Sequence, residues 1–161
     1  MGADKAVLDW GGVRAVDRLA DLCAELGIAT VLTAGADHGL PFVLDDGQGP
    51  CGGILAGAAR LRDEGAGRAL ILAVDAPTLI ADDLRPLLEA PAPGAMFEGL
   101  PLPMAIDLAA IPPETAPDWP LKRLAAEAGL VVLAVGPDAA DRLRGANTPD
   151  ERAGLLAALL R

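Results

Sequence analysis

The chain alternates short apolar runs with longer stretches in which apolar residues recur every three or four positions. Continuous apolar runs suit strands buried on both faces of a sheet, and the longer repeat suits helices packed on that sheet. Ala15–Leu26 places Val16, Leu19, Ala20, Cys23 and Leu26 at helical spacing, and Gly27 stands where a helix stop belongs. Ile28–Ala34 then reads as a buried strand and Pro41–Leu44 as a short second one. Gly52–Glu64 carries Ile54, Leu55, Ala58 and Leu61 on one helical face and is closed by Gly65. Ala69–Val74 is the clearest strand and is expected at the sheet centre. Asp82–Glu89 predicts a short helix entered through acidic residues, and Ala90–Gly99, rich in Pro and Gly, reads as loop. Leu100–Ile106, with prolines at 101 and 103, is expected to be an edge strand or an irregular extended piece. Pro120–Ala128 predicts a helix, Leu130–Val135 a strand and Asp150–Leu160 a terminal helix. The alternation predicts an α/β fold with a mainly parallel sheet, formed as one domain over residues 1–161.

Composition narrows the chemistry. A hydrophobic fraction of 52% excludes a disordered chain, and no apolar run approaches the length needed to span a bilayer. With no basic segment ahead of an apolar stretch, the expected setting is cytoplasmic, away from membranes. The 13 basic and 23 acidic residues give a net charge of −10, which argues against a nucleic-acid surface but leaves room for a nucleotide neutralised locally. Cys23 and Cys51 have no CxxC partner and are expected to be small buried side chains. His38 is the only histidine, so a histidine-based triad is not expected.

Ligands of open α/β sheets sit beyond the carboxyl ends of the strands, and unusual segments fall there. Asp75, in Val74-Asp75-Ala76-Pro77, follows the strongest strand; it is either a carboxylate for a divalent metal or a turn residue satisfied by backbone N–H groups. Asp45-Asp46-Gly47-Gln48-Gly49-Pro50-Cys51-Gly52-Gly53 leads into a helix whose donor-rich end could meet a flat ligand, with an Asp accepting from a guanine edge. The alternative is an ordinary connection rich in turn formers. In Asn147-Thr148-Pro149-Asp150-Glu151, Thr148 as N-cap, Pro149 at the first helical position and Glu151 two residues on make a capping box. Asn147 is not needed for that cap and is left for function. Lys5, near the chain start, is either a solvated terminal lysine or a phosphate-gripping one.

Taken in order, these segments resemble the molybdenum cofactor guanylyltransferases, the MobA type of nucleotidyltransferase. The residues carrying the resemblance are Met1-Gly2-x-Asp4-Lys5-Ala6, then Gly12 and a helix, Asp45 or Asp46 before Gly49-Pro50-x-Gly52-Gly53-Ile54-x-Ala56-Gly57, Asp75-x-Pro77, Pro101-Leu102-Pro103 and Asn147-Thr148-Pro149-Asp150-Glu151. The resemblance implies a Rossmann-like three-layer nucleotidyltransferase fold and Mg²⁺-dependent transfer of GMP from GTP to molybdopterin cofactor. It implies that Lys5 steadies the triphosphate, Asp75 holds Mg²⁺, and Asp45 or Asp46 with Gly49, Pro50, Gly52 and Gly53 takes the nucleotide. Asn147 and Pro101 would face the molybdopterin, and a molybdoenzyme or its chaperone would be a further partner. The family pattern opens with a strand and a Gly-Gly-x-Ser-x-Arg stretch that this sequence lacks. The expectation is therefore a sheet without its first strand, either from a start placed too far downstream or from a shortened, inactive relative. The retained Lys5, Asp45-Asp46 and Asp75 favour the former. A sheet so depleted is expected to be weakly stable and to self-associate through its open edges. Cytidylyl transfer and a non-catalytic binding module are the competing functions.

Overall fold

The structure, a computed structural model, describes residues 4–45, 47 and 49–159. Met1, Gly2, Asp46 and the expected helix end at Leu160 lie outside the described residues. A short 3-10 helix, Lys5–Val7, precedes α1 (Ala15–Glu25), β1 (Thr33–Gly35), β2 (Phe42–Leu44), α2 (Pro50–Asp63), β3 (Arg68–Ile71) and α3 (Ala81–Glu89). Then come β4 (Gly94–Phe97), β5 (Leu100–Asp107), a second 3-10 turn (Leu108–Ala110), α4 (Leu121–Glu127), β6 (Val131–Leu133), α5 (Ala140–Arg144) and α6 (Pro149–Leu159). The expected stop after α1 is a Schellman cap: Gly27 turns left-handed at φ 75°, its N–H bonds Ala24 O, and Ile28 N–H bonds Cys23 O.

Four strands form a sheet in the order β3-β5-β4-β6, and β1 pairs in parallel with β2 in a separate two-stranded sheet. The larger sheet is mixed rather than mainly parallel, because β5 runs antiparallel to both β3 and β4 while β4 and β6 run parallel. Side chains alternate across it. Met96, Met104 and Ile106 enter one core with Leu121 and Leu124 of α4 and Ala58 of α2. Ala95, Phe97 and Ala105 enter the opposite core with Leu19 of α1, Leu84 and Leu87 of α3, and Leu143 of α5. Helices thus cover both faces, giving three layers around β4 and β5.

Several expectations change. The segment 90–99 contains β4, the one strand buried along its whole length, joined to β5 by the two-residue turn Glu98-Gly99. Leu100–Asp107 is an interior strand, not an edge. Its prolines are accommodated because the pairing shifts between Met104 and Leu100, so Pro101 and Pro103 fall in an irregular stretch. The run Ala69–Val74 supplies an edge strand instead of the centre, with Ala69 and Ile71 on one core, Leu70 and Leu72 on the other, and every residue only half-buried. Of Ile28–Ala34, only Thr33 and Ala34 are in a strand, and α5 falls where no helix was expected. The outer edges of β1 and β3 pair with no strand among the described residues, and α2 packs against β1, β2 and β3 together. No helix of the described chain is long and apolar enough to cross a membrane.

One buried ion pair ties the C-terminal third to α3. Asp83, its side chain 4% exposed, accepts two hydrogen bonds from the Arg142 guanidinium at 2.8 and 2.7 Å and one from Ile80 N–H at 3.0 Å. The carboxylate beside it raises the pKa of Arg142 further above its ordinary value. Arg142→Ala would strand this carboxylate in the core, and we expect a loss of about 2–3 kcal/mol in urea denaturation. Arg85→Ala, at the exposed Asp82–Arg85 pair, is expected to change stability by less than about 0.5 kcal/mol in the same assay.

Candidate functional site

Lys5 is placed by a turn whose first residue caps it: Ala6 N–H donates to Asp4 Oδ1 at 2.9 Å. The following chain is pinned by Trp10, which is 2% exposed and packs with Ala15 and Ala146. From there the Lys5 ammonium donates to Asp75 Oδ2 at 3.3 Å and to Asn147 Oδ1 at 3.2 Å. Three residues singled out separately along the sequence therefore meet at one nitrogen. Both members of the ion pair are partly open to solvent, at 32% and 26%.

Asp75 is set by backbone. Ala146 N–H donates to Asp75 O at 2.8 Å, joining the turn after β3 to the loop before α6. Gly145 makes this approach possible: its φ of 68° and ψ of −167° belong to a region open essentially to glycine. A Cβ there would lie 2.5 Å from the Asp75 carbonyl oxygen. The sequence reading gave Gly145 no role; its one signal is a glycine two residues before the candidate site residue Asn147.

Asn147 is set by the α6 cap, which forms as expected. Glu151 N–H donates to Thr148 Oγ1 at 3.2 Å, and Glu151 Oε2 accepts from Thr148 N–H at 2.9 Å and Asn147 N–H at 2.8 Å. Those backbone donors hold the Glu151 carboxyl below its ordinary pKa. The Asn147 backbone serves the cap while its side chain serves Lys5.

A second group gathers at the start of α2. Gly49 is the N-cap at φ 120° with no side-chain cap bond, and Pro50 opens the helix. Gly52 N–H closes the first turn on Gly49 O at 3.1 Å, and Cys51 is fully buried beneath it. Asp45 forms a turn, accepting from Gly47 N–H at 2.9 Å. Gly53 serves packing: a Cβ there would sit 3.0 Å from Ala34 Cβ, so the glycine lets α2 lie on β1. No hydrogen bond among the described residues joins this group to Lys5, Asp75 or Asn147. Pro101, by contrast, lines a cleft of about 220 Å³ together with Asp75. Cys23 and Cys51 are buried and free, and burial pushes both thiols up in pKa.

The family model of the MobA-like NTP transferase domain matches residues 1–98, more than half of the chain. No curated protein matches the sequence. Among solved structures, a molybdopterin-guanine dinucleotide biosynthesis protein A from Archaeoglobus fulgidus superposes with a TM-score of 0.62 at 16% identity, covering 98% of this chain and 91% of that one. At that identity the likeness is one of fold.

Two outcomes follow from this geometry. Lys5 and Lys122 are the only lysines, so ¹³Cε-lysine labelling gives one signal at the site and one remote from it. Gly145→Ala is expected to keep the helical circular dichroism spectrum and the Lys122 signal but move the Lys5 signal. The second concerns pH. Because the folded pKa of Glu151 is depressed, its cap contribution is complete above the ordinary value of 4.5 and is lost as pH falls through the lower folded value. Amide protection factors at Asn147 and Thr148 are expected to drop in that acid range, and Glu151→Gln to abolish the dependence.

Proposed function

We propose, for a chain that belongs to the MobA-like NTP transferase domain family, transfer of GMP from GTP to the terminal phosphate of molybdopterin cofactor. The observation carrying this reading is the convergence of Lys5, Asp75 and Asn147 on one ammonium. Two of its three donors are used on Asp75 and Asn147, and the third can take a phosphate oxygen. The cofactor phosphate would attack the α-phosphorus, forming a new P–O bond as the bond to the β-phosphate breaks and pyrophosphate leaves. Lys5 would steady the charge that develops on the phosphates, and no protein nucleophile is needed. Mg²⁺, when bound, would supply further neutralisation there, with Asp75 as its carboxylate. Among the described residues no three His, Cys, Asp or Glu side chains form a metal cluster. That donor set fits a Mg²⁺ ion completed by phosphate oxygens and water, not one caged by protein alone.

Asp45, anchored by Gly47, supports guanine as the base, since a carboxylate can accept from both donors of its edge. Gly49, Pro50 and Gly52 bring the α2 end beside it. Asn147 and Pro101 fall on the acceptor side. The setting is cytoplasmic on this reading, with a molybdoenzyme or its chaperone as downstream partner. Self-association, which the edge of β3 left unpaired among the described residues favours, is checked by sedimentation velocity over a concentration series.

Isothermal titration in Mg²⁺ is expected to show GTP binding more tightly than CTP; the reverse order would replace guanylyl by cytidylyl transfer. Asp75→Asn and Lys5→Ala are each expected to lower formation of the dinucleotide cofactor by about 100-fold or more. A chain that binds GTP yet forms no dinucleotide would be a binding module.

A further inference from the structure

The cleft of about 220 Å³ beside Asp75 has walls of Leu79, Leu100, Pro101 and Pro103. Among its described lining residues only Asp75 and Arg144 carry charge. Its chemistry is that of a slot for a flat or apolar body with one anionic end. Arg144 comes from α5, where three successive residues have different tasks. Arg142 is spent on buried Asp83, and Leu143 is 3% exposed in the core. Arg144 makes a loose pair with Asp141 at 3.9 Å, with both side chains largely exposed, and its charge also reaches the Glu151 carboxylate, which is already bonded in the α6 cap. Such a pair contributes little and gives way easily to a better anion.

The backbone keeps this arginine near the reaction centre. The next residue, Gly145, packs against the Asp75 carbonyl, and Ala146 N–H bonds that same oxygen. The Arg144 backbone is therefore held beside Asp75 by the contact that sets Asp75 itself, leaving the guanidinium to swing over the cleft mouth. A guanidinium also matches a phosphate better than a lysine does, since its planar fork donates two parallel hydrogen bonds. In an acidic chain, a cation free of strong partners beside the transfer site has an electrostatic use that a surface arginine elsewhere lacks.

We propose that Arg144 binds the phosphomonoester of the acceptor and holds it in the cleft beside Asp75. This rests on the transfer reading above and adds the group that recognises the acceptor. The motif that singles out Asn147 leaves out Arg144, three residues earlier.

The test compares molybdopterin with the same pterin after phosphatase treatment, both titrated into the full chain. The wild-type protein is expected to bind the phosphorylated form about 10- to 100-fold more tightly. Arg144→Ala is expected to erase that preference, Arg144→Lys to restore part of it, and Asp141→Ala to leave it intact. GTP affinity in Mg²⁺, measured on the same samples, is expected to be unchanged in all three variants. A phosphate preference that survives Arg144→Ala overturns the assignment, as does an equal loss in Asp141→Ala, which would mark a structural effect of the α5 end. If the Arg144-dependent preference is present but no GMP transfer occurs, the transfer reading fails and the phosphate-binding assignment stands.

Discussion

A single ammonium group fixes the geometry on which the candidate site depends. Lys5 Nζ bridges positions 70 and 142 residues away, so the chain start, the turn after β3 and the loop before α6 must coincide at one point. The bridge does not create that coincidence. A half-exposed ion pair contributes roughly 0–1 kcal/mol, too little to hold three segments together. The segments are placed by stronger constraints: the Trp10 packing, the Ala146–Asp75 backbone bond, and the capping box that starts α6. The lysine reads out an arrangement the backbone has already made, which is what a preorganised electrostatic site requires.

Much of that arrangement was legible in the residues. Gly27 and Thr148-Pro149-x-Glu151 carry local signals, because helix ends are governed by φ and by nearby hydrogen-bonding groups. Asn147 was legible as a residue its cap does not need, Lys5 and Asp75 each carried a structural and a functional reading, and the three meet at one nitrogen. What failed depends on neighbours distant in sequence. The run Ala69–Val74 is apolar enough for a central strand, yet hydrophobicity reports only whether the two faces are covered. Whether the edges are paired is decided by which strands lie alongside, and among the described residues β3 has only β5. The prolines of β5 misled in the opposite way: they exclude regular pairing at their own positions, and the shifted register supplies irregular ones inside the sheet. Arg144 gave no local signal because its value lies in sharing a cleft with Asp75.

The two groups of candidate residues divide the work by element. On the proposed reading, the α2 end and the Asp45 turn, with one carboxylate, belong to the base and phosphate. The loops after β3 and before α6 bring Asp75 and Asn147 to Lys5 and belong, on the same reading, to the reacting centre and the acceptor. Gly53, in the first group, also has a packing task. By letting α2 lie on β1, it carries the two-stranded unit on the same helix that also touches β3.

The capping box has a consequence for how the molecule breathes. No described residue of α6 is fully buried; the helix rests on Leu155, Leu156 and Leu159 lying partly covered against Trp10. Such a helix opens locally at modest cost. Because the Asn147 N–H is bonded inside its cap while the Asn147 side chain holds Lys5, fraying of α6 and disorder of the lysine are one linked equilibrium. Anything that grips Lys5 would then quiet the far end of the chain, and shortening the last helix would loosen a site to which it contributes no side chain.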